Sequence, residues 1–381
     1  MLIQTANNAS DITTDAAHFG AEVIAPNAER WNCEGSVPRA FFRDAAAHGL
    51  CGMLVAERDG GTGLTLPDFL QVLTALAGHC LASTFALVVH NNLAAAIARH
   101  GTAYQRERYL AAMIAGEKIG AFLLTEPTVG SDAQALTTRA EAHGDGWRIT
   151  GAKAWITNAV HADVLSVYAQ TIPDAGARGI GCWLIDANAP GVSRDSPYDL
   201  LGGHALGTGG FRFDACEVTH PQLLHAPGDA FRAALQGIDI ARLAVAAMCE
   251  GMLACALSEA IRFTRERPAF GQMIGDFQGV QWLLADVATD LEAARALTGS
   301  VAAKIAQGGA ASTATAHAKK FATRVAFTRI ADCMQVMGAA GLSRTRPLAR
   351  HLAAAKIAQY LDGATEIQNV VIARALGDYA R

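Results

Sequence analysis

Two changes of texture along the chain constrain its fold more than any single motif does. Up to about residue 118 apolar residues recur at helical spacing, in 38–48, 67–79, 83–99 and 102–115. Pro67 suits the opening turn of a helix, and Gly101 and Gly116 follow helix ends, where a left-handed residue is favoured. Between about 119 and 228 the pattern shortens to β-type runs, Ala121–Leu124, Trp147–Thr150, Val164–Tyr168 and Gly181–Ile185, separated by Gly, Pro, Asp and Asn. From about 229 onward the helical period returns in Ala-rich segments near 229–265, 276–307, 311–341 and 347–379, with breaks at Gly308-Gly309 and Arg346-Pro347. A chain of 381 residues is too long for one core, so the three textures read as three domains. The expectation is an α+β protein with a helical N-terminal domain (1–118), a central antiparallel β domain (119–228) and a C-terminal helical bundle (229–381).

Composition narrows the function. Hydrophobic residues at 51% against 17% charged exclude disorder and imply much buried surface, some of it in subunit contacts. A net charge of -4 gives no basic field for nucleic acid or an anionic membrane, so neither is expected as a partner. The eight cysteines are scattered without close pairs, which argues against a disulfide framework and a metal site and favours a reducing compartment. The N-terminus shows neither a secretory nor a transit pattern, so a cytoplasmic location is expected. Residues 69–98 lack Asp, Glu, Lys and Arg, yet Gln71, His79, His90, Asn91 and Asn92 interrupt them, as in a buried helix rather than a membrane span.

The segment Ala121 to Asp132 (AFLLTEPTVGSD) runs from an apolar strand into a loop that offers the hydroxyls of Thr125 and Ser131 and exposed backbone at Gly130 to a planar polar ligand. About 25 residues on, Gly151 to Asn158 (GAKAWITN) carries Trp155, a flat apolar face, and Thr157, a hydroxyl at period-two spacing on the same side of a strand. Together the two closely resemble the TEPxxGSD loop and the GxKxWITN segment of the acyl-CoA dehydrogenase family. The resemblance extends over essentially the whole chain: Gly101 through Leu110 to Gly116-Glu117, Arg267 to Gly271 (RPAFG) followed by Gln278, and Gln335 to Gly341 (QVMGAAG) are all similar to family segments in the same order.

That resemblance implies bound FAD, with Leu124, Thr125, Gly130 and Ser131 near the isoalloxazine and Trp155, Ile156 and Thr157 against its other side. It implies that Arg267, Phe270, Gln278, Gln335 and Gly338 contact the FAD of a neighbouring subunit, in a homotetramer, with Thr365 and Gln368 also on the cofactor. An Arg suits a dianionic pyrophosphate, and a glycine-rich helix turn lets backbone N–H groups approach phosphate. Ser131, Asp239, Arg242 and Gly363 are implied on the acyl-CoA or acyl-carrier substrate, and an electron-transferring flavoprotein as electron acceptor.

Such chemistry removes a proton from Cα and a hydride from Cβ, and needs a carboxylate opposite the flavin. The family places a Glu in a YEGT segment near the C-terminus; in Tyr360 to Gln368 (YLDGATEIQ), Asp362 stands at that position. The alternative base position of some relatives, one residue before Arg242, is Ala241, and Glu366 is a lesser rival one helical turn after Asp362. Asp is shorter than Glu by about 1.5 Å of reach. Ala364 and Asn369 also replace the family's usual Thr and Arg. An Asp base resembles nitroalkane oxidases, which keeps that activity as an alternative, beside an acyl-carrier-protein dehydrogenase and a non-catalytic acyl-binding flavoprotein.

Overall fold

The computed structural model describes residues 9–309 and 311–377. The N-terminal block begins with helices α1 (Ala9–Phe19) and α2 (Ala25–Glu34), joined through one π-helical turn, Gly20–Ile24. Helices α3 (Arg39–Ala47), α4 (Leu66–Ala77) and α5 (Leu81–His100) follow. Thr102 then opens α6 (Ala103–Gln105) with a capping box to Gln105, and the chain winds through a second π turn, Arg106–Leu110, into α7 (Ala111–Ile114). Gly116 is left-handed as its position suggests, and a Cβ there would lie 2.2 Å from the Phe42 carbonyl. Gly101 is not: it is extended, because the chain leaves α5 directly into the Thr102 cap.

The β block is one eight-stranded sheet built from β1 (Gly120–Leu123), β2 (Arg139–His143), β3 (Gly146–Ile156), β4 (Val164–Gln170), β5 (Ile180–Asp186), β6 (Val192–Arg194), β7 (Gly209–Thr219) and β8 (Leu223–His225). Its order is β6-β7-β3-β2-β4-β5-β8, with β1 on β4. The expectation of an antiparallel domain needs one correction. Most neighbours are antiparallel, but β1 and β2 each run parallel to β4, because the β2–β3 hairpin is inserted between β1 and its partner.

The C-terminal block holds α8 (Ala230–Glu266), a small hairpin of β9 (Pro268–Ala269) and β10 (Gln272–Met273), α9 (Gln278–Ala306), α10 (Ser312–Val336), α11 (Leu348–Ala358) and α12 (Thr365–Arg374). The helical period read through 311–341 stops at Val336, where Gly338 turns left-handed (φ 58°) and a 3-10 turn follows. The segment read as 347–379 is two helices, interrupted at the loop that contains Asp362 and Gly363, both with positive φ.

The largest core joins α1–α5 to α8 and α10, so α8 belongs to both helical blocks. Gly251 of α8 sits where a Cβ would meet the Thr74 carbonyl at 2.2 Å, which lets α4 and α8 touch backbone to backbone. Two helices, α5 and α8, are long and apolar enough to span a membrane by composition, but 83% of each apolar window is buried within the protein, as in core helices.

Candidate functional site

The loop after β1 owes its shape to a buried ion pair. Glu126 Oε1 accepts from Lys153 Nζ at 2.8 Å and from the Thr138 amide at 2.8 Å, and Oε2 accepts from the amide and hydroxyl of Thr137, each at 2.7 Å. Lys153 Nζ also donates to the Leu124 carbonyl at 3.0 Å. Both side chains are essentially inaccessible. Burial pushes the Glu126 carboxyl up, but the Lys153 charge and the four donors override it and hold the group down near 2. Burial pushes Lys153 down to about 8 against the attraction of Glu126. A further bond from the Ala154 amide to the Thr125 carbonyl, 3.0 Å, ties the loop to β3. Leu124 is thereby fixed in the core while Gly130 and Ser131 face solvent.

Strand β3 does not keep the alternation that the sequence suggests. A register shift against β7 between Lys153 and Ile156 puts Trp155 in a left-handed conformation (φ 60°), with its indole 60% exposed and edge-on to Tyr198 at 4.9 Å. Ile156 and Thr157 are buried, and Thr157 lies past the strand end, so Trp155 and Thr157 do not share a strand face. A bulge re-aims one side chain in this way, here presenting a large flat ring.

A second group of residues gathers around the loop between α11 and α12. Asp362 has φ 50°, a conformation that Asp tolerates better than most residues, and Gly363 follows at φ 99°. Arg242 Nε donates to the Asp362 carbonyl at 3.1 Å, and its Nη1 to Asp239 Oδ1 at 3.0 Å. Gln368 Nε2 donates to the Gly363 carbonyl at 2.9 Å. The sequence reading thus named five residues that the fold brings into one bonded cluster: Asp239, Arg242, Asp362, Gly363 and Gln368. Thr365 opens α12 beside them. The Asp362 Oδ2 atom is shut off from solvent without a hydrogen-bond partner among the described residues, and desolvation lifts the carboxyl to about 6 although Lys319 and Arg242 pull it down. Glu366, in contrast, is exposed on the first turn of α12, not one turn along a helix from Asp362, because Asp362 lies in no helix.

Arg267, Phe270, Gln278, Gln335 and Gly338 are all exposed. Phe270 and Gly271, both with positive φ, form the tip of the β9–β10 hairpin, and the Phe270 ring is 97% exposed. A bulky residue held left-handed and fully in solvent is strained, and its own chain does not cover it.

Lys319 is the main residue that sequence reasoning missed. It is buried on α10 and donates to the carbonyls of Gln359 (3.4 Å) and Gly363, the two flanks of Asp362. The Glu126–Lys153 pair was quoted within its motifs but given no role. The available signal was a charged residue inside an otherwise apolar strand or Ala-rich helix.

Residues 7–117, 121–216 and 228–377 match, in order, the N-terminal, middle and C-terminal domains of acyl-CoA dehydrogenases. The chain belongs to the acyl-CoA dehydrogenase family. It is 32% identical over 362 residues to the mitochondrial isobutyryl-CoA dehydrogenase of Dictyostelium discoideum, covering 95% of this chain and 87% of that one. It is also 32% identical over 378 residues to the short-chain specific acyl-CoA dehydrogenase of Megasphaera elsdenii, covering 97% and 99%. Among solved structures, butyryl-CoA dehydrogenase from Megasphaera elsdenii superposes with a TM-score of 0.93 at 30% identity, covering 99% of this chain and all of that one. An FAD complex of PigA superposes at 0.91 with 27% identity, each chain 99% covered.

Proposed function

We propose that this protein is an FAD-dependent dehydrogenase of a short acyl thioester, and that Asp362 takes the proton from Cα. The single observation that carries the reading is the Asp362 carboxyl: an orphaned, desolvated oxygen on a left-handed residue whose flanking backbone is held by Arg242 and Gln368. A general base with its ionisation near neutral pH is suited to removing a proton from a carbon acid. The relatives' names, short-chain, butyryl and isobutyryl, favour a short chain.

The residues fit FAD. The open Trp155 indole offers a flat apolar wall, the Gly130–Ser131 loop exposes backbone and a hydroxyl, and Gly338 has open space where a side chain would stand. When bound, FAD supplies the acceptor for the Cβ hydride. The chain's own residues do the rest. Asp362 holds the departing proton on its carboxylate, and the Gly363 amide is available to the thioester oxygen as it gains charge. Arg242, buried and paired with Asp239, keeps the Asp362 backbone in place. Ser131 and the Asp239–Arg242 pair are assigned to the carrier end of the substrate. The exposed Phe270, Arg267, Gln278, Gln335 and Gly338 are assigned to a neighbouring subunit and its FAD in a homotetramer, and an electron-transferring flavoprotein is the proposed acceptor.

The test is an anaerobic titration of the purified flavoprotein with short, branched and aromatic acyl-CoAs and nitroalkanes, following loss of flavin absorption. Bleaching by a short acyl-CoA, abolished in Asp362→Ala with FAD retained, is the expected result. Bleaching by nitroalkanes alone, or an Asp362→Ala protein with full activity, would refute it. A yellow protein that ignores every free acyl-CoA would move the substrate to a carrier protein.

A further inference from the structure

Asp362 poses a problem of charge. Asp362 is half-buried, but its Oδ2 is shut off from solvent and has no hydrogen-bond partner among the described residues, so the ionised form gains from charges beyond bonding distance. Two cations face it, Arg242 on α8 and Lys319 on α10. Arg242 is already engaged with the Asp239 carboxylate at 3.0 Å and with the Asp362 carbonyl at 3.1 Å. Lys319 is different. It is 1% exposed, and its ammonium bonds only backbone carbonyls among the described residues, those of Gln359 and Gly363. Around it lie Arg242, the buried Cys249 thiol on α8 and the exposed Glu366 on α12. A buried ammonium is costly for a fold. The buried carboxylate next to Cys249, Glu250, is not among the charges that act on Lys319.

We propose that Lys319 is a positioning residue for the proton-abstracting step: its two carbonyl bonds clamp the loop on either side of Asp362, and its charge keeps the isolated carboxylate ionised. The inference rests on Asp362 being the base. Burial lowers the Lys319 ammonium to about 8, against the pull of Asp362, and this fits a charge retained at some expense to stability. The sign follows: the folded value lies below the unfolded one, so the charged Lys319 weakens the fold at pH 7, and the penalty fades only as the pH rises from about 8 toward the unfolded value of 10.5.

The experiment measures kcat/KM against pH, flavin content and melting temperature for the holoenzyme, Lys319→Met, Lys319→Gln and Lys319→Arg. Removing the nearby opposite charge that pulls Asp362 down should move its carboxyl up by about one unit or more. Lys319→Met and Lys319→Gln should therefore shift the acid limb upward by that amount, so that kcat/KM relative to wild type is about tenfold lower at pH 5 than on the plateau above pH 8, where only the lost clamp reduces it. Lys319→Arg should leave the limb in place. Methionine leaves the Gln359 and Gly363 carbonyls without their donor, so some loss of melting temperature is expected in either case, and the acid limb is the readout that a purely structural lysine would not move. An acid limb unmoved in a folded, yellow Lys319→Met protein would overturn the proposal. So would failure of both uncharged variants to fold as flavoproteins, which would make Lys319 structural. Asp362→Asn separates the two readings: if it turns over normally, the base assignment falls, whereas an inactive Asp362→Asn beside an unmoved limb in Lys319→Met refutes only the role of Lys319.

Discussion

Replacing Lys153 by Met should destabilise the protein by about 3–5 kcal/mol, because it leaves the Glu126 carboxylate charged and buried without a counter-ion. Three of the four donors to Glu126 survive, at 2.7, 2.7 and 2.8 Å, and the Leu124 carbonyl loses its donor. The intact pair itself adds little to the fold, because the cost of taking both charges out of water offsets most of their attraction. The large effect therefore belongs to the broken pair, not to the pair itself. Glu126→Gln in the Lys153→Met background removes the stranded charge and should recover most of the loss, leaving about 1–2 kcal/mol for imperfect hydrogen bonds. The pH dependence carries the same logic. In the wild type, Glu126 sits below its unfolded value, so its contribution is present above about pH 4.5 and fades as the pH falls toward 2. In Lys153→Met its folded value rises above the unfolded one, so the defect should be greatest near pH 7–8 and shrink toward pH 4–5. Urea unfolding of the two variants, followed by tryptophan and flavin fluorescence, measures it. A Lys153→Met protein within about 1 kcal/mol of wild type, or a double variant as weak as the single one, would refute the reasoning.

The base should show itself in the wild-type profile: kcat/KM should climb through pH about 6 as Asp362 ionises and then level off. A limb below pH 4.5 would mean a solvated carboxylate. Gly363→Ala should lower turnover by about 100-fold with FAD retained, because alanine resists φ 99° and its Cβ would come 3.1 Å from Gln368 Nε2, moving the base by a fraction of an ångström or more. Rates within a few-fold of wild type would show the loop to be more yielding. Phe270→Asp should weaken subunit association and flavin retention together, read by sedimentation and by the ratio of visible to ultraviolet absorption. An unchanged assembly would remove the hairpin tip from the interface.

The helix–β–helix order was legible because each texture reports a local period. The β-runs at Val164–Tyr168 and Gly181–Ile185 fall in β4 and β5, and the helix from 83 to 99 lies within α5. The helices at 9–34 are harder to read, since α2 is polar on average and fully buries only Ala28 and Trp31. The parallel seating of β1 on β4 escaped reading because strand direction depends on partners far apart in the chain. The sequence offers Trp155 as a flat apolar face, but the bulge that exposes it and separates it from Thr157 is a property of its pairing with β7.

The site divides in the same way. Asp362, Gly363 and Gln368 could be named from a short contiguous motif, since side-chain identity at a fixed spacing is a one-dimensional fact. Whether Asp362 titrates near neutrality was decided by the tertiary structure alone. Desolvation and the charges of Arg242 and Lys319 come from helices 120 and 43 residues away in sequence, and electrostatic energy depends on distance in space. The sequence determined which chemical groups were available; packing determined which of them had lost their water, and with it their ordinary behaviour.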